Sequence, residues 1–275
     1  MAQSMRWIRA IRGIREKNRC ELVSRCFDHP DHQEIRVHPR PEMSFRQAHL
    51  ASRRTRYHVG VTTIRDDALV LDHHPFKDRH LIVAVLTATH GEVRGVLRSA
   101  RGGRVPLAGA VQILSKVEVE LFRKPSAELA TFTRIDLLQS SFPLAGDLEQ
   151  SSAAAVVAEL LSTYCPPDEP APRRFRLGCA ALDGLLAAID PDRVVAYVQY
   201  WVLRLGGLMP DLEALDGDPS ADELAFLIAC RRIPLAELEL PVPGGVRSRL
   251  DRLVREHAER NLKALDFHRQ HGAAG

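Results

Sequence analysis

Residues Ser115–Arg123 read SKVEVELFR and form the clearest strand pattern in the chain. Apolar and charged residues alternate, which predicts a half-buried β-strand with its valines and Leu121 on the buried face. Lys124-Pro125-Ser126 follows as a turn, and Glu128–Leu137, rich in Thr and Phe, is predicted to be the next strand. These residues therefore belong to a β-region.

Three further strands are predicted upstream of this pair. Ala68–Leu71 is a short apolar run that precedes a polar loop, and it is the predicted first strand. Arg79–Thr87 and Glu92–Ala100 flank a turn that contains Gly91, which is typical of a hairpin. Five strands in about 75 residues predict a small closed barrel.

After Leu144 the apolar period changes to that of a helix, which predicts an all-α region. Asp147 is a predicted N-cap, and Asp190-Pro191 combines an N-cap with proline at the first helical position. The predicted helices are 147–164, 175–189, 192–205, one that begins at Asp218-Pro219 with Ser220 and Glu223 at capping-box spacing, and 246–265. The fold class is therefore α+β, with a barrel followed by a helical domain.

Composition excludes several classes of protein. The 275 residues are 45% hydrophobic and 27% charged, as in globular proteins. A bilayer span needs about 20 apolar residues, and apolar runs such as Leu81–Leu86 and Ala153–Ala158 are far shorter. We expect neither a membrane span nor a secretory signal. The five cysteines are scattered and form no Cys-x-x-Cys pair, which predicts free thiols in the reducing cytoplasm.

The net charge of +3 is distributed unevenly. Residues 1–65 carry 14 Lys and Arg against 6 Asp and Glu, whereas residues 147–275 carry 14 against 20. This asymmetry indicates an anionic partner for one part of the chain. We predict three regions: a basic extension, 1–65; the barrel, 66–146; and the helical domain, 147–275. The extension is either a disordered basic arm or lies upstream of the true translation start, and order is predicted to begin at Asp67.

The segment Arg94–Arg104, RGVLRSARGGR, has four arginines and no acidic residue. Arg94 and Arg98 share a face if the segment is a strand, and Gly102-Gly103 lets the backbone approach a ligand closely. Guanidinium groups pair well with phosphates, so the pattern is typical of a groove that binds a nucleic-acid backbone. A solvated arginine-rich loop is the alternative. The predicted nucleic-acid contacts are Arg94, Arg98, Arg101, Arg104, Lys116, Arg123 and Lys124.

Base stacking would need aromatic side chains, which make up 5% of the chain. Phe76, Phe122 and Phe132 are the candidates in the β-region, and Phe122 is out of phase with the buried positions of its strand. Core packing is the alternative for each. Nothing in the sequence indicates catalysis: His73-His74 alternates across a strand, and Gly102-Gly103 lacks the residues of a phosphate-binding loop. We therefore predict neither an enzyme, nor a cofactor, nor a small-molecule substrate.

From Asp67 to Phe267 the chain resembles the RecO family of bacterial recombination mediators. The resemblance lies in Ala68–Leu71 with the later Lys77-Asp78-Arg79, TATHGEVRGVLRSAR (87–101), Lys116–Arg123, LGGLMPDL (205–212) and NLKALDF (261–267). It implies an oligonucleotide/oligosaccharide-binding (OB) barrel followed by a helical domain. It also implies a cytoplasmic, nucleoid-associated protein of DNA repair that binds single- and double-stranded DNA and anneals strands.

The resemblance also implies protein partners. With RecR, members of this family help RecA to replace single-strand-binding protein (SSB) on DNA. We expect the helical domain to hold an apolar groove for the SSB C-terminal tail, with Val198, Trp201 and Leu205 as candidates, although these residues also suit a core.

Many members of the family carry a four-ligand zinc site built from two Cys-x-x-Cys pairs. Here Leu215 and Asp218 stand in place of the first pair, and Cys230 is followed by Ile233 at the second. One thiol cannot build a tetrahedral site, so we predict a degenerate zinc-finger region at 208–234 without metal. Two other functions stay open: an RNA-binding OB protein, and a metal-dependent enzyme that uses scattered His and Asp residues.

Overall fold

Five strands form a closed barrel in the computed structural model, and helices follow it along the chain. The structure describes residues 62–77, 79–98, 111–123, 127–166, 169–211 and 219–271. The strands are β1 (Thr62–Phe76), β2 (His80–Thr87), β3 (Gly91–Leu97), β4 (Lys116–Arg123) and β5 (Ala130–Gln139). The predicted basic extension lies outside the described residues, apart from 62–65, which belong to β1.

The strand order around the barrel is β1-β2-β3-β5-β4. β3 and β5 are parallel, and every other neighbouring pair is antiparallel. A five-stranded closed barrel with this order is an OB-type barrel, so the predicted fold class is confirmed. Gly95 lies where β3 meets β5, and a Cβ atom there would be 2.9 Å from the Ala130 carbonyl oxygen and 2.8 Å from the Phe132 ring.

The predicted first strand is too short at both ends. β1 begins five residues before Asp67 and continues to Phe76, whereas the prediction ended it at Leu71. Its first half pairs with β4 and its second half with β2, and the register shifts between Val70 and Asp72. The polar ends of β1 are held by ladder hydrogen bonds to two partners, so the strand extends beyond its apolar stretch.

Six helices lie in the described part of the helical region. They are α1 (Leu148–Tyr164), α2 (Pro172–Leu186), α3 (Pro191–Leu205), α4 (Ala221–Arg232), α5 (Gly244–Glu256) and α6 (Lys263–His271). The predicted caps are confirmed: Asp147 accepts from the Gln150 amide, and Asp190 accepts from the amide of Asp192. Ser220 caps α4 by accepting from the Glu223 amide at 3.2 Å. None of these helices has both the length and the apolar composition needed to cross a bilayer.

Two predicted helices differ from the structure. α2 begins at Pro172, three residues before the predicted start, because proline is well suited to a first helical turn. The predicted single helix 246–265 is wrong, since the chain forms α5 and then α6 with a break at 257–262. Leu262 and Leu265 are buried, and the break lets them turn into the core.

The apolar side chains form two clusters. One fills the barrel and includes Val83, Val93, Val117 and Phe132. The other fills the helical region and extends over the outside of the barrel. Its members from the barrel region are Leu69, Leu71, Ala84, Leu86 and Leu114. The helical core is therefore completed by the outer surface of β1 and β2.

Helices α1 and α2 are the ones that pack on the barrel. Gly178 of α2 meets the Leu69 side chain of β1 so closely that an added Cβ would lie 2.5 Å from the leucine Cδ1. The backbone amide of Ala171, just before α2, donates to the Ala88 carbonyl at 3.0 Å. These contacts hold the β2–β3 turn against the backbone that leads into α2.

Candidate nucleic-acid interface

On the outer face of β2 and β3, each side chain of one strand lies opposite a side chain of the other. Ala84 opposes Arg94 and Ile82 opposes Val96 in the antiparallel register. Continuing that register by one residue places Arg98 opposite His80. Burial alternates along β3: Val93 and Leu97 are buried, whereas Arg94 and Arg98 are exposed. The two arginines therefore lie on one face, about 13 Å apart along the strand at about 3.3 Å per residue.

Further cations lie at the turn between β1 and β2. Lys77 and Arg79 are exposed there, and the Lys77 Nζ is 5.4 Å from the centroid of the Phe76 ring. Phe76 opposes His80 across the hairpin, in the row that continues to Arg98. We call Lys77, Arg79, Arg94 and Arg98 the cationic face. Neither Arg79 nor Arg98 forms an ion pair with a residue that the structure describes.

Arg94 differs from the other members because it has a carboxylate partner. Its Nε donates to Glu92 Oε1 at 2.7 Å, and the Glu92 side chain is 7% exposed while that of Arg94 is 57% exposed. The pair stabilises a buried carboxylate and fixes the direction of the guanidinium group. The remaining N–H groups of Arg94 are available for a phosphate.

The opposite side of the barrel neutralises its own charge. Arg65 donates to both oxygens of Glu118, at 3.1 and 3.0 Å, and Arg134 pairs with Asp136. An anionic strand would therefore meet both signs of charge on this side. Among the described residues, the cations on this side are paired with carboxylates, whereas Lys77, Arg79 and Arg98 of the cationic face form no ion pair with a described residue.

Lys116 lies away from the cationic face. It opposes Leu69, whose side chain belongs to the helical core, and its Nζ is 3.0 Å from Asp67 Oδ2. The hydrogen bond to Asp67 raises the pKa of Lys116. The charge of Lys116 is thus paired with Asp67 on the outer surface of the barrel, and the structure does not bring Lys116 together with Arg94 and Arg98.

The other predicted contacts lie at the loops. Arg123 ends β4 and its Nε donates to the Ala127 carbonyl at 3.4 Å, which helps to shape the β4–β5 loop. That loop leads to Ala130, which pairs with Gly95 beside Arg94. Arg101, Arg104 and Lys124 lie outside the described residues.

The three phenylalanines have different surroundings. Phe76 and Phe122 are half-buried on the outer surface, and Phe122 opposes Thr63 and Thr131. Phe132 lies inside the barrel and is 3% exposed. Phe76 is next to the cationic face, so its ring is better placed to stack on a base than the other two.

The candidate residues for a protein partner lie in or beside the helical core. Val198 has no exposed surface, and Trp201 is half-buried with its indole N–H donating to the Cys230 carbonyl at 3.1 Å. The rings of Tyr200 and Trp201 meet edge to face at 5.7 Å. Leu205 is half-buried at the end of α3. Val198 is out of reach of a partner, so these residues do not form an open apolar groove.

The region of the missing zinc ligands is described in part. Leu215 and Asp218 lie outside the described residues, and Cys230 is buried in α4. Within the described ranges, no three His, Cys, Asp or Glu side chains come close enough to hold a metal ion.

The sequence interpretation missed Lys77 and Arg79 as contacts. They lie on each side of a short turn between two strands, and their position beside Arg98 depends on the register of β2 with β3. The signal that could have found them is the tripeptide Lys-Asp-Arg at 77–79 between two strand patterns, because the β1–β2 loop of OB barrels is a common site of oligonucleotide contacts.

Two family models match the chain. The model described as Recombination protein O N terminal matches residues 61–141, and the one described as Recombination protein O C terminal matches residues 145–214. The first match contains all five strands, and the second contains α1, α2 and α3. Together they cover more than half of the chain.

Several curated relatives carry the name DNA repair protein RecO. One from Koribacter versatilis is 30% identical over 151 residues, which cover 54% of this chain and 60% of the relative. One from Pelobacter propionicus is 28% identical over 235 residues, 74% of this chain and 95% of the relative. One from Anaeromyxobacter sp. strain K is 29% identical over 133 residues, 48% of this chain and 52% of the relative. The match thus spans less than two thirds of the first and third relatives.

Proposed function

The chain belongs to the RecO family of bacterial recombination proteins, and on that premise we propose that it is a non-catalytic, DNA-binding mediator of recombinational repair. The cationic face carries this proposal. It presents Lys77, Arg79, Arg94 and Arg98 on one side of an OB-type barrel, while the opposite side pairs its charges internally.

The proposed binding mode is contact with the DNA backbone, without reading of the bases. Arginine forks pair with phosphate oxygens, and the partly exposed side chains of Ile82 and Val96 lie on the same face between Arg94 and Arg98. Phe76 supplies one ring for stacking. Backbone contacts serve single- and double-stranded DNA alike, so we propose that the protein binds both.

Strand annealing follows from the same physics. Two complementary strands repel each other, and a face that neutralises phosphates on each lowers that repulsion. We propose that the protein anneals strands in this way at the nucleoid, in the cytoplasm. We further propose that it acts with RecR to help RecA replace SSB, with the SSB C-terminal tail as a contact of the helical domain.

The test removes two charges from the cationic face. In Arg79→Ala/Arg98→Ala, both side chains are exposed, so the fold should be retained. We expect weaker binding of single-stranded DNA of any sequence, and a salt dependence of log K that is shallower by about 1.4, at about 0.7 per lost phosphate contact. Annealing of SSB-coated complementary oligonucleotides should slow in parallel. The triple substitution of Arg98, Arg101 and Arg104 extends the series.

A matched control is Arg65→Ala/Arg134→Ala, which removes the same charge from the other side of the barrel. These are exposed ion pairs worth little to stability, and the control should bind as wild type does. Equal losses in both variants, or none in either, would contradict the proposed interface. Competition between DNA and RNA strands decides the alternative, because preference for RNA would point to an RNA-binding protein.

A further inference from the structure

The first turn of α2 is unusually basic. It reads Pro172-Arg173-Arg174-Phe175-Arg176, has no acidic residue and has no side-chain cap. The N-terminus of a helix carries partial positive charge, so arginines there weaken the helix. These three arginines therefore need another explanation than helix stability.

This turn lies against the end of the barrel at which β3 begins. The Ala171 amide donates to the Ala88 carbonyl in the β2–β3 turn at 3.0 Å. The Glu169 carbonyl oxygen lies so close to Gly91 that an added Cβ would be 2.2 Å away. The backbone that precedes α2 is thus in direct contact with the residues that precede Arg94 on β3.

Glu92, the carboxylate partner of Arg94, follows Gly91 at this junction. It accepts from Arg94 at 2.7 Å, and both Glu92 and Arg174 act electrostatically on the Cys165 thiol. The Nε of Arg174 is buried and has no hydrogen-bond partner among the described residues. Glu169 is the exposed acidic residue beside them. Arg94, held by Glu92 on β3, and Arg174, in the first turn of α2, therefore belong to the two elements that meet at the junction between barrel and helices.

The other two arginines of the turn point to solvent. Arg173 and Arg176 are three residues apart, which puts them on the same side of the helix, and both are exposed. Neither forms an ion pair with a described residue. Arg173 and Arg176 thus add exposed positive charge to the helical region, next to the turn that precedes Arg94 on β3.

We propose that a DNA strand that crosses the cationic face leaves it at Arg94 and continues over the first turn of α2, where Arg173, Arg174 and Arg176 bind further phosphates. This inference rests on the proposed function and assigns it a second contact region. A strand bound in this way contacts the barrel and the helices together, so its site is longer than that of the barrel alone.

The experiment compares two lengths of oligothymidylate on the full chain. A strand of about 6 nucleotides fits one OB barrel, and one of about 30 can reach α2 as well. In Arg173→Ala/Arg176→Ala, we expect the short strand to bind as it does to wild type. The long strand should bind roughly tenfold more weakly at about 0.15 M salt, with a salt slope shallower by about 1.4. Fluorescence anisotropy across a salt series measures both values.

The control is Arg231→Ala/Arg252→Ala, which removes two exposed arginines from α4 and α5. It should leave binding of both strands unchanged. A long strand that binds Arg173→Ala/Arg176→Ala as tightly as wild type would overturn the inference, and so would an equal loss in the control. Equal loss on both strand lengths would also overturn it, because the arginines would then belong to the barrel site.

Failure of the proposed function gives a different result. If wild type binds neither strand, or if Arg79→Ala/Arg98→Ala binds both as wild type does, the cationic face itself is not a DNA site. Binding of both strands could instead be weakened by Arg79→Ala/Arg98→Ala and left unchanged by Arg173→Ala/Arg176→Ala. In that case the proposed function stands, and only the inferred path over α2 is wrong.

Discussion

Cys230 shows how strongly burial controls the chemistry of a single residue. Its side chain has no exposed surface in α4, and its carbonyl accepts from the Trp201 indole. Desolvation by burial raises the pKa of the Cys230 thiol to about 12. Since the thiolate is the form that ligates metals and attacks electrophiles, Cys230 is unreactive in the folded protein at neutral pH.

We predict that iodoacetamide at about pH 8 leaves Cys230 unmodified in the native protein and modifies it once the chain is unfolded in urea. Cys179, which is half-buried, should react faster than Cys230 in the native state. Peptide mapping by mass spectrometry follows each site separately. Rapid alkylation of native Cys230 would show that the thiol is accessible, contrary to the structure.

The candidate interface could be predicted from the sequence where it depends on local alternation. Arg94 and Arg98 are four residues apart in a strand, and that spacing alone places them on one face. Lys116 also lies in a segment where apolar and charged residues alternate. Its ion pair with Asp67, however, depends on the register of β1 with β4. Contacts that arise from strand pairing between distant segments cannot be read from composition or spacing.

At the scale of elements, α6 is held by a network of polar side chains. Arg269 donates to both oxygens of Asp251, at 2.8 and 3.0 Å, and also pairs with Asp192. His268 lies between Ser152 of α1, at 2.7 Å, and Asp192 of α3, at 3.3 Å. The last helix is thus fastened to α1, α3 and α5 by charge as well as by apolar contact.

This network predicts acid sensitivity. Burial acts to raise the pKa of Asp192, but the close approach of His268 and the charges of Arg269 and Arg247 outweigh it and hold the pKa below its usual value. A depressed pKa in the folded state stabilises the protein above the pKa of the unfolded chain, and that stability is lost as pH falls through the folded value. We expect the free energy of unfolding to fall below about pH 4 for this reason.

Asp192→Asn should remove that part of the acid sensitivity and lower the stability at neutral pH. We expect a loss of about 3 kcal/mol, the lower end for a broken buried pair, because Asp192 keeps some exposure. Urea unfolding of both proteins from neutral to acidic pH measures the difference. A variant with wild-type stability at pH 7 and an unchanged acid profile would refute the role of Asp192.

The break between α5 and α6 could not be predicted from the local sequence. The carboxylate of Glu159, on α1, accepts from the amides of Ala264 and Leu265 at 3.1 and 3.2 Å. A distant side chain therefore caps α6, a role that a nearby N-cap residue usually fills. The helices with caps in their own sequence, α1 and α3, were predicted with correct ends.

At the scale of the whole molecule, the barrel and the helices share an apolar core. Leu69 and Leu86 are on the outer surface of the barrel yet are fully buried under the helices. Along the sequence, the spacing of apolar residues changes from every second residue to about every 3.6 residues. This change correctly separates the β-strands from the helices. It does not show that the second region is completed by the outside of the first, because a buried outer face of a strand has the same apolar residues as an inner one.

A substitution at Gly91 tests the contact between the barrel and the helices. Its φ is +64°, and the Glu169 carbonyl oxygen fills the space that a side chain would need. We predict that Gly91→Ala lowers the free energy of unfolding by the cost of a left-handed backbone, of order 1–2 kcal/mol, and by a further amount for the displaced backbone of residue 169. Thermal and urea unfolding measure the total.

Gly207→Ala separates these two effects. Gly207 has a similar φ of +70° with no atom within 4 Å of an added Cβ, so its substitution reports the backbone cost alone. The free energy of unfolding that Gly91→Ala loses beyond the loss in Gly207→Ala is then the cost of moving the barrel away from the helices. If the strand path over α2 is correct, Gly91→Ala should also weaken binding of a long oligonucleotide more than that of a short one, since Arg94 and Arg174 separate. Equal losses of stability in the two variants would contradict the close junction and, with it, the continuous path for DNA.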